Sequence, residues 1–128
     1  MNKKAVALVV VLGAVLVVSI ITAVILGLVN AQASITKKQA NYVKGISLCE
    51  IGIKRAIWLI SQPGTTYPYE GDYIFRPHTP DEATIHIQIT QDSPSEYTIT
   101  SSTALGNVGS KIEVKTDGSN ILSWKETR

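Results

Sequence analysis

The chain has one cysteine, Cys49, only two histidines, no proline before Pro63, and no charge between Lys4 and Lys37. A single cysteine excludes an intramolecular disulfide and a cysteine-based metal cluster. Cys49 falls in a helical apolar pattern and reads as a small buried hydrophobe, far beyond the apolar run rather than at its end, where a lipid-bearing cysteine would stand. The signatures of catalysis are missing as well: no G-x-S-x-G, no phosphate loop and no H-E-x-x-H occurs. His78 sits in a proline-bounded loop and His86 on the polar face of a strand, with no carboxylate or cysteine at a metal-ligand spacing from either. Asp72, Asp81 and Glu82 read as loop acids without the Asp-x-Asp-x-Asp-Gly arrangement of a calcium loop. These absences argue against an enzyme and lead to the expectation of no cofactor and no metal.

What is present begins with residues 5–29, an uncharged apolar run preceded by Met1-Asn2-Lys3-Lys4. A hydrocarbon core about 30 Å thick takes roughly 20 apolar helical residues, so this run is long enough to span it with some tilt. Ser19 and Thr22 are its only hydroxyls, and each can bond back to a backbone carbonyl within a helix. Gly13, Ala14, Ala23 and Gly27 are small positions at which neighbouring helices could approach. Ala31-Gln32-Ala33 also offers a signal-type cleavage site that would release Ser34 onward, but a signal core runs to about 7–15 apolar residues and this one is longer. Length argues for retention. Lys3 and Lys4 on one flank face Lys37, Lys38 and Lys44 on the other, so charge alone does not orient the span. A short basic start before an exported domain places the N-terminus in the cytoplasm.

The sequence carries 12 Lys+Arg and 10 Asp+Glu, and the excess is the pair Lys3 and Lys4 ahead of the apolar run. The remainder is balanced, which gives no electrostatic footprint for nucleic acid. It is also long enough for one small domain and too short for two.

Beyond residue 36, Tyr42, Ile46, Cys49, Ile53, Ala56, Ile57 and Ile60 recur at three- and four-residue spacing, one stripe about 100° wide. The spacing predicts that the membrane helix continues to about Ser61, some 85 Å at about 1.5 Å per residue, and that Pro63-Gly64 ends it. Leu48, Ile51, Trp58 and Leu59 lie off the stripe, which makes Leu48, Ile51 and Trp58 candidate contacts for a partner.

The period then changes to two. Ile85, Ile87 and Ile89 alternate with Thr84, His86, Gln88 and Thr90, a half-buried strand. Three further segments continue the pattern, Tyr97-Thr98-Ile99-Thr100-Ser101, Lys111-Ile112-Glu113-Val114-Lys115 and Ile121-Leu122-Ser123-Trp124, and Asp117-Gly118-Ser119-Asn120 is a hairpin signal. Loops are expected at residues 91–96 and 106–109. The expectation is an α+β fold in which a long N-terminal helix, transmembrane then amphipathic, packs on a small antiparallel sheet of three or four strands. A weaker strand at Tyr73-Ile74-Phe75 either extends the sheet or sits in the connecting segment.

A basic leader, an apolar helix directly after it, an amphipathic continuation and a terminal sheet together resemble the type IV pilins and type II secretion pseudopilins. Lys3-Lys4-Ala5-Val6-Ala7-Leu8-Val9-Val10-Val11-Leu12 resembles the opening of the PilX minor pilins and of the K-type minor pseudopilins. The segment from Gln39-Ala40-Asn41-Tyr42 to Glu50-Ile51-Gly52-Ile53-Lys54-Arg55-Ala56 is similar to the family's helix continuation, and the close through Leu122-Ser123-Trp124-Lys125-Glu126 to its terminal sheet. The resemblance implies cleavage by prepilin peptidase between Ala5 and Val6, with Ala5 standing where glycine is usual. It then implies a leader at 1–5, a transmembrane half at 6–29, an amphipathic half at 30–62, a connecting segment at 63–83 and a sheet at 84–128. Val6, Ala7, Leu8, Val10, Leu12, Ala14, Leu16, Ala23 and Gly27 would pack in membrane and filament. Val10 is the fifth residue after the cut, where most pilins carry a glutamate that K-type subunits lack.

The function so implied is that of a non-enzymatic minor pilin or pseudopilin, at the filament tip or in initiation. Its partners would be the bacterial inner membrane, other pilin-like subunits, prepilin peptidase and an assembly platform, with the C-terminal domain outside the cytoplasm. The alternatives are a single-pass anchored binding module using residues 65–70 with Tyr67 and Tyr69, or a small secreted domain freed after Ala33.

Overall fold

A computed structural model describes residues 2–80 and 82–127. Met1 of the leader, the loop acid Asp81 and Arg128 at the end of the expected sheet lie outside the described residues. One helix, α1 (Lys3–Ser61), is followed by five strands: β1 (Tyr69–Phe75), β2 (Ala83–Ser93), β3 (Glu96–Leu105), β4 (Val108–Thr116) and β5 (Ile121–Thr127). The protein is therefore α+β, a long apolar N-terminal helix with an antiparallel sheet. Contacts divide the chain into two units, Met1–Lys37 and Lys38–Arg128, and α1 contributes to both.

Local chemistry explains where α1 starts and stops. The Asn2 carbonyl accepts from the Ala5 and Val6 amides at 2.8 and 3.2 Å, closing the first turn. Ser19 and Thr22 donate to the Val15 and Val18 carbonyls, both at 2.8 Å, so neither hydroxyl is left without a partner in an apolar surrounding. At the other end the Thr65 hydroxyl donates to the Leu59 carbonyl at 2.9 Å, and Gly64 takes a φ of 95° just after Pro63. A proline that cannot extend the helix and a glycine free to turn back stop it at Ser61.

The strands follow one another in space, β1-β2-β3-β4-β5, every neighbour antiparallel. The connecting segment thus contains a seven-residue edge strand, and the sheet has five strands where three or four were expected. The loop expected at residues 91–96 shrinks to Pro94-Ser95, because β2 runs on through an irregularity between Gln91 and Ser93. Asp72, expected in a loop, lies within β1. In the last hairpin the Asp117 carboxylate accepts from the Ser119 and Asn120 amides at 2.8 and 2.6 Å, while Gly118 takes a φ of 88°.

One face of the sheet is covered by the second half of α1. Ile85, Ile87 and Ile89 of β2, Ile99 of β3, and Ile112 and Val114 of β4 meet Leu48, Cys49, Ile53 and Ala56 in the core. The buried face of α1 is Gly45, Leu48, Cys49, Gly52, Ile53 and Ala56. It is rotated from the expected stripe, and Ile46, Ile57 and Ile60 are only partly buried at its flank. Leu48 is 3 % exposed, so the expectation of an outward, partner-facing Leu48 is corrected: it belongs to the protein's own core.

Two glycines account for that rotation. A Cβ at Gly45 would stand 2.9 Å from Ser110 Cβ and closer still to its hydroxyl. One at Gly52 would stand 2.7 Å from Ile85 Cγ2 and closer still to the Ser101 hydroxyl. The glycines lie two helical turns apart and face serines on β3 and β4, with Ile85 of β2 beside Gly52, so the helix comes close to the sheet where it carries no side chain of its own.

Candidate functional site

The first unit presents apolar surface and no core of its own. Every described residue from Asn2 to Lys37 is exposed, including Leu8, Val10, Leu12 and Leu16 at 59–64 %. Within it, α1 is long and apolar enough to cross a membrane. At about 100° per residue, Leu8, Leu12, Leu16, Ala23 and Gly27 share one side of the helix, while Val6, Ala7, Val10 and Ala14 share another. Apolar groups therefore ring the helix, which suits hydrocarbon or a bundle of like helices better than one seam. A Cβ at Gly13 or Gly27 would meet nothing within 4 Å, so both leave room for a neighbour's backbone. Ala5 and Val6 lie in the opening turn of α1, and the bond between them is part of the helix. Cleavage there requires that turn to open.

In the second unit, the candidate contacts Leu48, Ile51 and Trp58 separate. Leu48 is core, Ile51 is partly buried against it, and only Trp58 is well exposed, at 47 %. The Arg55 guanidinium lies 4.3 Å from the Trp58 ring centroid and 5.9 Å from that of Tyr73 on β1. Arginine and two aromatic rings at a surface are the residue types that dominate protein interfaces. Sequence reasoning missed Arg55 and Tyr73, because Tyr73 joins the patch only through the register of β1 on β2.

The outer face of the sheet holds a second cluster. His86 Nδ1 lies 2.7 Å from Asp72 Oδ1, and its Nε2 lies 3.1 Å from Glu70 Oε1. Gln88 donates to the same Glu70 carboxylate at 3.3 Å. The Asp72 hydrogen bond raises the His86 pKa above its ordinary 6.5, with the charge of Glu70 acting the same way. The two nitrogens of one ring are thus each matched to a carboxylate across the strands, a linkage that spacing along the chain could not reveal.

No family model matches the chain, and neither does any curated protein or solved structure.

The remaining expectations resolve on geometry. Cys49 is fully buried, its thiol donates to the Ser110 carbonyl at 3.3 Å, and burial pushes its pKa up. A protonated, enclosed thiol is a poor nucleophile. Tyr67 packs on Tyr97 with ring centroids 5.1 Å apart, and both Tyr67 and Tyr69 are partly buried against the core. A depression of about 310 Å³ lined by Tyr67, Pro68, Thr90 and Gln91 opens beside them. A larger one of about 550 Å³ lies near His86, with Thr84, Ser102 and Ala104 in its wall. Both are open depressions at the surface, unlike the enclosed clefts that hold most small-molecule ligands.

Proposed function

We propose that this protein is a membrane-anchored structural subunit of a pilin-like filament, of the minor pilin or pseudopilin kind, and not an enzyme. The observation that carries the reading is the division of labour along α1: residues 2–40 are exposed and largely apolar, while Gly45, Leu48, Cys49, Gly52, Ile53 and Ala56 cover the sheet. A water-exposed apolar helix of this length is untenable on its own, so it lies in lipid before assembly and against like helices afterwards. Prepilin peptidase would free Val6. With Val10 at the fifth mature position no carboxylate has to be buried in lipid, and none is available to pair with a neighbour's terminal amine. That favours a minor or initiating subunit over the repeating one. The subunit would sit in the bacterial inner membrane with its sheet domain outside the cytoplasm, served by an assembly platform.

Fractionation of producing cells tests this reading. The chain from Val6 onward is expected in the membrane fraction and, at low stoichiometry, in sheared filaments; a chain found only as a soluble species outside the cell would refute it.

A further inference from the structure

The two edges of the sheet differ in charge on its outer face. At the β1 edge stand Glu70 and Asp72, while β5 carries Lys125, with Lys111 and Lys115 behind it on β4. Strand register puts these groups into rows. One row across the outer face runs Glu70, Gln88, Thr100, Glu113, Lys125, so it opens on an acid and closes on a base. The next row, on the helix-covered face, runs Tyr69, Ile89, Ile99, Val114, Trp124, and opens and closes on an aromatic ring. Every described residue of β5 is exposed; Ile121 and Trp124 are 53 % and 41 % exposed although both lie on the face whose centre is buried. Lys125 has no ion-pair partner among the described residues, whereas Glu70 already accepts from His86 and Gln88 and still has lone pairs to offer.

We infer that β5 is a docking edge for β1 of a second copy of this chain, joined head to tail so that the sheet continues from one copy into the next. Four antiparallel steps leave β1 and β5 running the same way, so the junction is a parallel pair in a mixed sheet. Continuing the rows without a shift brings Lys125 beside the second copy's Glu70 and Trp124 beside its Tyr69. Opposite charges meet on one face and aromatic rings on the other, both matched by the same register. A two-fold pairing of β5 edges centred on Lys125 would set that lysine against itself, which disfavours this self-paired register. A head-to-tail contact between unlike edges does not close on itself as a two-fold dimer does, so it lines up short runs of copies, the cluster that an initiating subunit present at low stoichiometry would supply. The inference rests on the reading of this chain as an assembling subunit and names a contact for it outside the apolar helix.

The test is cross-linking of the full-length chain in the membranes of producing cells with a short bis-maleimide. The parent chain, whose one cysteine is buried, is the blank. A chain carrying both Ile74→Cys and Thr127→Cys, exposed positions on β1 and β5, is expected to give a ladder of dimers, trimers and larger species. Each substitution alone is expected to give none. Lys125→Glu in that background should lower ladder yield about tenfold at low salt, as a like-charge contact replaces an attractive one. Adding Glu70→Lys to the same chain should restore it, because each junction again joins opposite charges. Loss with Lys125→Glu and no recovery in the double reversal, a ladder indifferent to both, or dimers from Thr127→Cys alone would overturn the inference. A separate Val17→Cys chain, oxidised with iodine to a disulfide because a thiol in lipid reacts poorly with maleimide, reads contact between apolar helices. Dimers from Val17→Cys without a sheet-edge ladder would reject the edge and leave the assembling subunit standing; neither product would reject both.

Discussion

Two glycines and one histidine set the finest constraints on the second unit. At Gly45 and Gly52 alanine would be the better helix former by about 1 kcal/mol, yet its methyl has no space against Ser110, Ser101 and Ile85. Overpacking of this kind costs about 1–3 kcal/mol, so steric exclusion outweighs propensity. Gly52→Ala is therefore expected to lower the denaturant midpoint of the sheet domain, while Gly13→Ala, which meets no neighbour, leaves it unchanged. His86 supplies a pH dependence with a defined sign. Its folded pKa is raised above 6.5, so its contribution is complete below pH 6.5 and is lost as pH rises through the folded value. The side chain is 37 % exposed, which limits the effect to less than about 1 kcal/mol. A proton titration followed by NMR should place His86 above 6.5, and Asp72→Asn should bring it down and flatten the matching fall in thermal midpoint; an unchanged titration in the variant would separate His86 from Asp72.

Among the elements, the helix and the central strands were legible from the sequence because period and punctuation agreed. Apolar continuity carries α1 to Pro63-Gly64, and the isoleucine alternation of residues 85–89 fixes the inward face of β2. The rotation of α1 was not legible. An apolar stripe is found by looking for large side chains, whereas here the contact is made by Gly45, Cys49, Gly52 and Ala56, and glycine scores as nothing in such a pattern. Leu48 was lost for that reason. Strand β1 was half legible: Tyr73-Ile74-Phe75 signalled it, but Glu70, Gly71 and Asp72 have low strand preference and are held by pairing with β2. The Glu70, Asp72 and His86 cluster depended on that pairing and could not be read before it. The packing of α1 yields a direct contrast between neighbours on the helix. Ile53→Ala empties a fully packed position and is expected to cost about 2–5 kcal/mol by urea titration, whereas Trp58→Ala removes an exposed ring and should cost less than about 1 kcal/mol. Equal losses would contradict the packing described.

For the whole molecule, the apolar half of α1 has to be shielded by something other than this chain, and the absence of charge from residue 5 to residue 36 makes lipid and like helices the fitting environments. The sheet domain is balanced in charge and carries its own core. Whether this helix belongs to an assembling subunit matured at Ala5-Val6 is decided by the mass and N-terminal residue of the protein from its native membrane fraction. A chain beginning at Val6, N-methylated, is expected, with Ala5→Trp leaving the leader attached. A membrane-bound chain still beginning at Met1, or a soluble chain beginning at Ser34, would contradict it.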